Sequence, residues 1–144
     1  MKTVIQRVKR ATVKAGELEA SIGPGMLVLV GLEAGDTEGT CAWAAAKLAS
    51  LRIFEDEGGK MNLGLKEIGG EILAISQFTL AGSIVKGRRP SFDRAMNPEV
   101  ARILFRRFLE LLQAEYPHAK SGFFQEHMEV ELVNDGPVTF VLER

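Results

Sequence analysis

The sequence predicts an α/β fold: a single domain over residues 1–144, built on one mixed, largely antiparallel β-sheet, layered β/β/α and barrel-like, with two main helices. Three observations carry this. The first third is rich in Val, Ile and Leu broken by glycine turns, two later stretches carry apolar residues at helical spacing, and near the end Met128 to Leu132 and Val138 to Leu142 read as two strands around a turn. A chain of 144 residues can bury a substantial core, and 46% hydrophobic with 26% charged residues excludes a disordered or fibrous protein.

Lys2 to Ala15 reads as one long strand, bent or bulged near Lys9-Arg10, with Gly16 opening a turn. Leu18 to Ile22 returns, Gly23-Pro24-Gly25 turns again, and Met26 to Leu32 is apolar on both faces and therefore fully buried. Asp36 or Thr37 caps a helix to about Leu51, with Cys41, Ala44, Ala45, Leu48 and Leu51 inward. Arg52-Ile53-Phe54 is expected as a short strand, and Glu55 to Lys60 as a solvated charged turn.

Glu71 to Leu80 reads as the central strand, an apolar run that ends in Ser76-Gln77-Phe78-Thr79. Gln77 and Thr79 then share one face, Ser76 and Phe78 the other. Residues Ala81 to Met96 form a long connection carrying Lys86-Gly87-Arg88-Arg89-Pro90-Ser91-Phe92; connections of this length tend to be functional. Asn97 caps a second helix opened by Pro98, with Val100, Ile103, Leu104, Phe108, Leu111 and Leu112 inward and Arg102, Arg106 and Glu110 outward. Met128 to Leu132 and Val138 to Leu142 are expected to pair as a hairpin across the turn Asn134-Asp135-Gly136-Pro137.

Charge and composition narrow the chemistry. Lys plus Arg is 18 and Asp plus Glu is 19, so any nucleic-acid contact must come from a local patch. The start has no apolar core of signal-peptide length and no apolar run reaches a membrane span, so a cytoplasmic protein without a membrane partner is expected. The lone Cys41 reads as a packing residue, and neither His118 nor His127 has partners at metal-ligand spacing, so a metal site is not expected.

Three polar constellations remain: Ser76 to Thr79, the basic loop around Arg88, and the Asn134 to Pro137 turn. The first reads either as hydroxyls that are structural, as a nucleophile without an adjacent base, or as backbone N–H donors for a developing oxyanion. The Arg88-Arg89 pair is either a solvated loop or a phosphate contact. Gly136-Pro137 is either an ordinary trans bond or a cis bond exposing rigid carbonyls.

Taken together, Ser76-Gln77-Phe78-Thr79 and Asn134-Asp135-Gly136-Pro137-Val138-Thr139 resemble the two signature motifs of the D-aminoacyl-tRNA deacylases, also called D-tyrosyl-tRNA(Tyr) deacylases. Ile5-Gln6-Arg7-Val8, Leu51-Arg52-Ile53-Phe54, Lys60-Met61-Asn62-Leu63 and Lys86 to Phe92 extend the likeness along the chain. The resemblance implies a homodimer with active sites at the subunit interface that hydrolyses the ester of D-aminoacyl-tRNA at the 3′-terminal adenosine, and glycyl-tRNA as well, without a cofactor.

By motif, Ser76, Gln77, Phe78 and Thr79 line the catalytic pocket. Arg7, Asn134, Gly136 and Pro137 form the element that enters the partner's site, Met128 lies by the adenosine, and Lys86, Arg88 and Arg89 contact RNA. The family pattern of Gly-Ala after Phe124 is replaced by Gln125-Glu126. A non-catalytic binder of RNA 3′ ends and a metal-free hydrolase of other small esters stand as alternatives.

Overall fold

A fourteen-residue strand organises the sheet. The computed structural model describes residues 1–144. In it β1 (Lys2–Ala15) pairs antiparallel along its whole length with β8 (Glu129–Glu143). Its other edge is shared, by β3 (Gly25–Gly31) over residues Lys2 to Val8 and by β2 (Leu18–Ile22) over Ala11 to Ala15. The sheet continues from β3 through parallel β6 (Glu71–Ser76) to parallel β7 (Ala119–Ser121). β2 curls toward β6 and β7, which nearly closes the sheet into a barrel.

Both faces of the central strands are dry, as their unbroken apolar runs require. Met26, Val28, Val30, Ile72 and Ala74 face the helices α1 (Glu38–Ala49) and α3 (Pro98–Glu115), where Leu48, Phe105, Phe108 and Leu112 meet them. Leu27, Leu73 and Ile75 point the other way, into a second cluster with Val8, Ala11, Val13 and Ile22. Register shifts at Arg7 and at Lys9 change which residues of β1 face inward, so Ile5 serves the first cluster and Ala11 and Val13 the second. α1 begins at Thr37, whose side chain accepts from the Thr40 N–H, and α3 at Asn97, which caps Glu99.

Three expectations are corrected. The Asn134 to Pro137 turn does not fold β8 back: both arms pair with β1 in one direction, because a strand as long as β1 offers ladder positions to each. The central strand stops at Ser76, and Phe78–Ala81 winds into a 3₁₀ turn. Neither neighbour continues the ladder, since the register with β3 ends at Val30↔Ser76 and that with β7 at Ala74↔Ser121. On α3, Phe105 is buried while Val100 and Ile103 remain 52% and 62% exposed. The short strands β4 (Phe54–Glu55) and β5 (Met61–Leu63) and the single-turn helix α2 (Leu65–Ile68) complete the chain.

The start of β6 is tied down electrostatically. Glu71 accepts from Lys120 Nζ at 2.7 Å and from the Gly23 N–H at 2.9 Å, and these donors hold its carboxyl below the ordinary value of 4.5. A lowered folded value adds stability that is present above the unfolded pKa and lost as pH falls through the folded one. Glu71→Gln is therefore expected to flatten the acid limb of a urea-stability profile taken from pH 7 to pH 3, while changing little at its acid end.

Candidate active site

At the far end of β6 the chain leaves the ladder at Gln77, whose N–H still reaches the Val30 carbonyl at 2.7 Å. The next residues wind tightly because Gly31 lies beneath them: a Cβ there would sit 2.7 Å from Leu80 Cβ and 3.1 Å from the Gln77 carbonyl. Leu80 N–H closes the turn on Gln77 O at 3.2 Å. As the first residues of a helical turn, Phe78 and Thr79 have no preceding carbonyl to donate to, and neither N–H finds an acceptor within the chain. Two adjacent amide donors therefore face outward at the strand end.

No histidine or carboxylate is hydrogen-bonded to the side chains there. Gln77 Nε2 donates to Thr79 Oγ1, so the hydroxyl faces an amide rather than a group that could take its proton. His118 sits at the opposite end of the same strand, where its carbonyl accepts from Ile72 N–H, about 20 Å away at strand spacing. Phe78 is 59% exposed, and its ring packs 5.2 Å from Phe92, the last residue of the basic loop motif. That loop is closed by reciprocal bonds between Ser83 and Ser91 at 2.7 and 2.9 Å, with Lys86, Arg88 and Arg89 exposed at its tip.

Met128 is also brought here. Gly122 N–H pairs with Ala74 O, and a Cβ on Gly122 would meet Met128 Sδ at 3.2 Å and Ile75 Cγ1 at 3.3 Å. Met128 thus lies within a residue or two of the strand end, against Phe123.

The second motif forms a separate ledge. Between the pairs Gln6↔Thr139 and Val8↔Asn134, β1 has only Arg7 while β8 has Asp135, Gly136, Pro137 and Val138, so these four bulge out. The Gly136-Pro137 bond is cis. Arg7, 4% exposed, fills the space beneath. Its Nε donates to Asp135 O at 3.0 Å, Nη1 to Ile53 O at 2.9 Å and Nη2 to Glu55 Oε1 at 3.2 Å. Asn134 closes the base, donating to Gln6 Oε1 and accepting from Val138 N–H at 3.2 Å.

Within one chain the two motifs stand apart. Met128 marks the strand-end site, and from the Lys14↔Glu129 pair to Val8↔Asn134 the ladder runs six residues of β1, about 20 Å. Across the sheet, Ser76 lies level with Thr3, four residues from Arg7 and three strands from β8. Sequence reasoning placed Arg7 beside the Gly136-Pro137 ledge but missed Ile53 and Glu55, whose only signal was the apolar segment leading into a charged turn.

Shape and sequence place this architecture among known proteins. A solved structure titled as a probable eukaryotic D-amino acid tRNA deacylase superposes with a TM-score of 0.85 at 18% identity, covering 98% of this chain and 97% of that one. The fold class is thus that of the deacylases. The family model for D-Tyr-tRNA(Tyr) deacylase matches residues 4–143. Proteins named D-aminoacyl-tRNA deacylase are similar along their length: that of Geobacter sulfurreducens is 55% identical over 99% of this chain and 95% of its own, and that of Pelobacter propionicus 54% over all of both. A solved structure titled c-Myc DNA Unwinding Element Binding Protein is 41% identical with a TM-score of 0.93, covering 100% of this chain and 99% of that one. The chain belongs to the D-Tyr-tRNA(Tyr) deacylase family.

Gly136 is the residue of the ledge least open to change. Its φ is +125°, and a Cβ would sit 2.8 Å from Val138 Cγ2 and 3.0 Å from Arg7 Nη2. Gly136→Ala is expected to cost about 1–3 kcal/mol in urea unfolding, with a smaller loss for Gly16→Ala, where φ is +58° and the space is open.

Proposed function

We propose that the protein hydrolyses the ester linking a D-amino acid to the 3′-terminal adenosine of tRNA, working as a homodimer in which each site joins the strand-end turn of one chain to the Gly136-Pro137 ledge of the other. The observation that carries it is the pair of free N–H groups on Phe78 and Thr79, beside a Thr79 hydroxyl that is hydrogen-bonded to an amide and to no base. Family membership makes the protein a hydrolase acting on ester bonds.

In this reading, water attacks the ester carbonyl and the negative charge that gathers on its oxygen is met by the two amides. The acyl carbon–oxygen bond to the ribose then breaks, and the departing 3′-oxygen takes the proton given up by the attacking water, relayed through the adjacent ribose 2′-hydroxyl. Gln77 and Ser76 border the pocket and Met128 rests against the adenosine. The ledge carbonyls receive the D-amino group and leave no room for an L side chain. Glycine has no side chain to exclude, so glycyl-tRNA is cleaved too.

The two motifs lie on different strands, β6 and β8, with β3 and β1 between them along the sheet, which leaves each to be completed by a second copy. β8 has a free edge and exposes Val130, Phe140 and Val141, which a second copy would bury. Lys86, Arg88 and Arg89 supply the local positive patch that a chain of net charge −1 needs to hold RNA. No helix is long and apolar enough to cross a membrane, and a translation-linked role fits the cytoplasm.

Purified protein is expected to release tyrosine from D-tyrosyl-tRNA while leaving L-tyrosyl-tRNA largely intact. Equal rates on both overturn the reading, and tight tRNA binding without turnover would instead favour a non-catalytic binder of RNA ends. Thr79→Ala is expected to keep kcat within about tenfold of wild type, because the amide and not the hydroxyl does the work. A fall of about a thousandfold or more would return the nucleophile role to Thr79.

A further inference from the structure

We propose that Arg102 and Arg106, one turn apart on the exposed face of α3, form a phosphate track for the single-stranded 3′ end of the RNA substrate, with Gln125 setting the first of them in place. The proposal deepens the deacylase reading and rests on its placing of the terminal nucleoside against Met128.

The residues between β7 and β8 are fixed unusually. Gln125 is the one non-glycine residue with positive φ, +63°, a conformation that L side chains avoid unless something holds them there. Its side-chain oxygen accepts from Arg102 Nη2. The Arg102 guanidinium lies 5.0 Å over the ring of Phe124, which in turn packs 5.9 Å from Phe105 in the core. Ring and amide together set the plane of the guanidinium and engage one of its nitrogens, leaving other N–H groups of the fork to the outside. Three residues beyond Gln125 is Met128.

Neither anchor is charged. Arg102 makes no ion pair and neither does Arg106, whereas Arg107, on the adjoining face, is taken up by Glu38 and Glu110 at 2.8 and 2.9 Å. An arginine kept only for stability would be expected to use a carboxylate in the same way. A guanidinium oriented by neutral groups keeps its charge for an anion that comes from outside. Arg106 follows about 6 Å along the helix axis, a step comparable with that between successive phosphates of an extended strand. Exposed Ile103 adjoins the pair with apolar surface for a ribose or base face, and Glu99 bounds it one turn earlier.

The test compares the full-length protein with Arg102→Ala, Arg106→Ala and the double variant on two substrates. D-tyrosyl-tRNA carries phosphodiesters; D-tyrosyl-adenosine carries the same ester and nucleoside without them. Each single substitution is expected to lower the ratio of kcat/KM for the tRNA to that for the adenosine ester about tenfold, through KM. Each also reduces the slope of log affinity for uncharged tRNA against log salt by about 0.7. Arg102→Lys should recover the salt slope better than the ratio, because lysine restores charge but not the fork. A ratio that stays at its wild-type value, or an equal loss on both substrates, overturns the track. Should the wild-type protein hydrolyse neither ester, the deacylase reading falls, and the salt slope with uncharged tRNA still decides whether the arginines contact phosphate.

Discussion

The buried guanidinium of Arg7 is the interaction on which the ledge depends. A charge removed from water is costly unless its donors are matched, and here three of its nitrogens reach three acceptors from two separate parts of the chain. One acceptor is the Asp135 carbonyl of the bulge; the others, Ile53 O and Glu55 Oε1, belong to the segment that follows α1. A single side chain thus converts four unpaired residues of β8 into a fixed feature. The bulge in turn exists only because β1 spends one residue, Arg7 itself, where β8 spends four. Loss of the guanidinium would leave carbonyls facing an empty space with no water-sized substitute for a planar fork.

The strand-end turn is made by a subtraction instead. Gly31 has no side chain, so Leu80 and the Gln77 carbonyl can settle on β3 and the chain can wind at once after leaving the sheet. Winding is what strands the Phe78 and Thr79 amides without acceptors. An unsatisfied N–H at a solvent-facing position costs little in the free protein, since water can serve it. Once a substrate displaces that water, the same groups become donors that need no rearrangement. The Thr79 hydroxyl fits the same design: with His118 at the other end of β6 and the Gln77 amide on the hydroxyl, what the turn itself offers is backbone donors.

The core was largely legible from periodicity, because unbroken apolar runs in β3 and β6 can only be strands dry on both sides. The misreadings share one cause: they turn on what the neighbouring element allows. Asn134-Asp135-Gly136-Pro137 is strong turn chemistry, yet the fourteen residues of β1 hold both arms in line and the turn becomes a bulge. The near match between the lengths of β1 and β8 was the available clue. Ser76 to Thr79 looked like strand because its composition permits one, but β3 and β7 end first. On α3 the helical period was read correctly and its phase was set too early; Phe105, rather than Val100 and Ile103, meets the sheet because the first turns of α3 carry those two out to solvent. Arg7 could be named from its motif, whereas its partners could not: Ile53 accepts through its backbone carbonyl, which leaves no mark in a sequence, and the Glu55 carboxylate sits in a charged turn that reads as solvated.

These features favour exclusion over attraction as the source of stereochemical choice in the proposed dimer. A site that selects by attraction must place a partner for each group of the preferred substrate, and the strand end has few side chains to spare. A site that selects by exclusion needs only a wall that does not yield, and the energy for rigidity can be spent away from the reacting atoms. The ledge has that character: Arg7 beneath it, Asn134 bound to Gln6 and to the Val138 N–H across its base, and Gly136 with no free volume around it. None of these groups needs to touch the ester. Because the two motifs of one chain lie on different strands, a two-fold partnership lets each wall be built on a sheet that the opposing turn does not share, so movement of the turn during the reaction need not loosen the wall it faces.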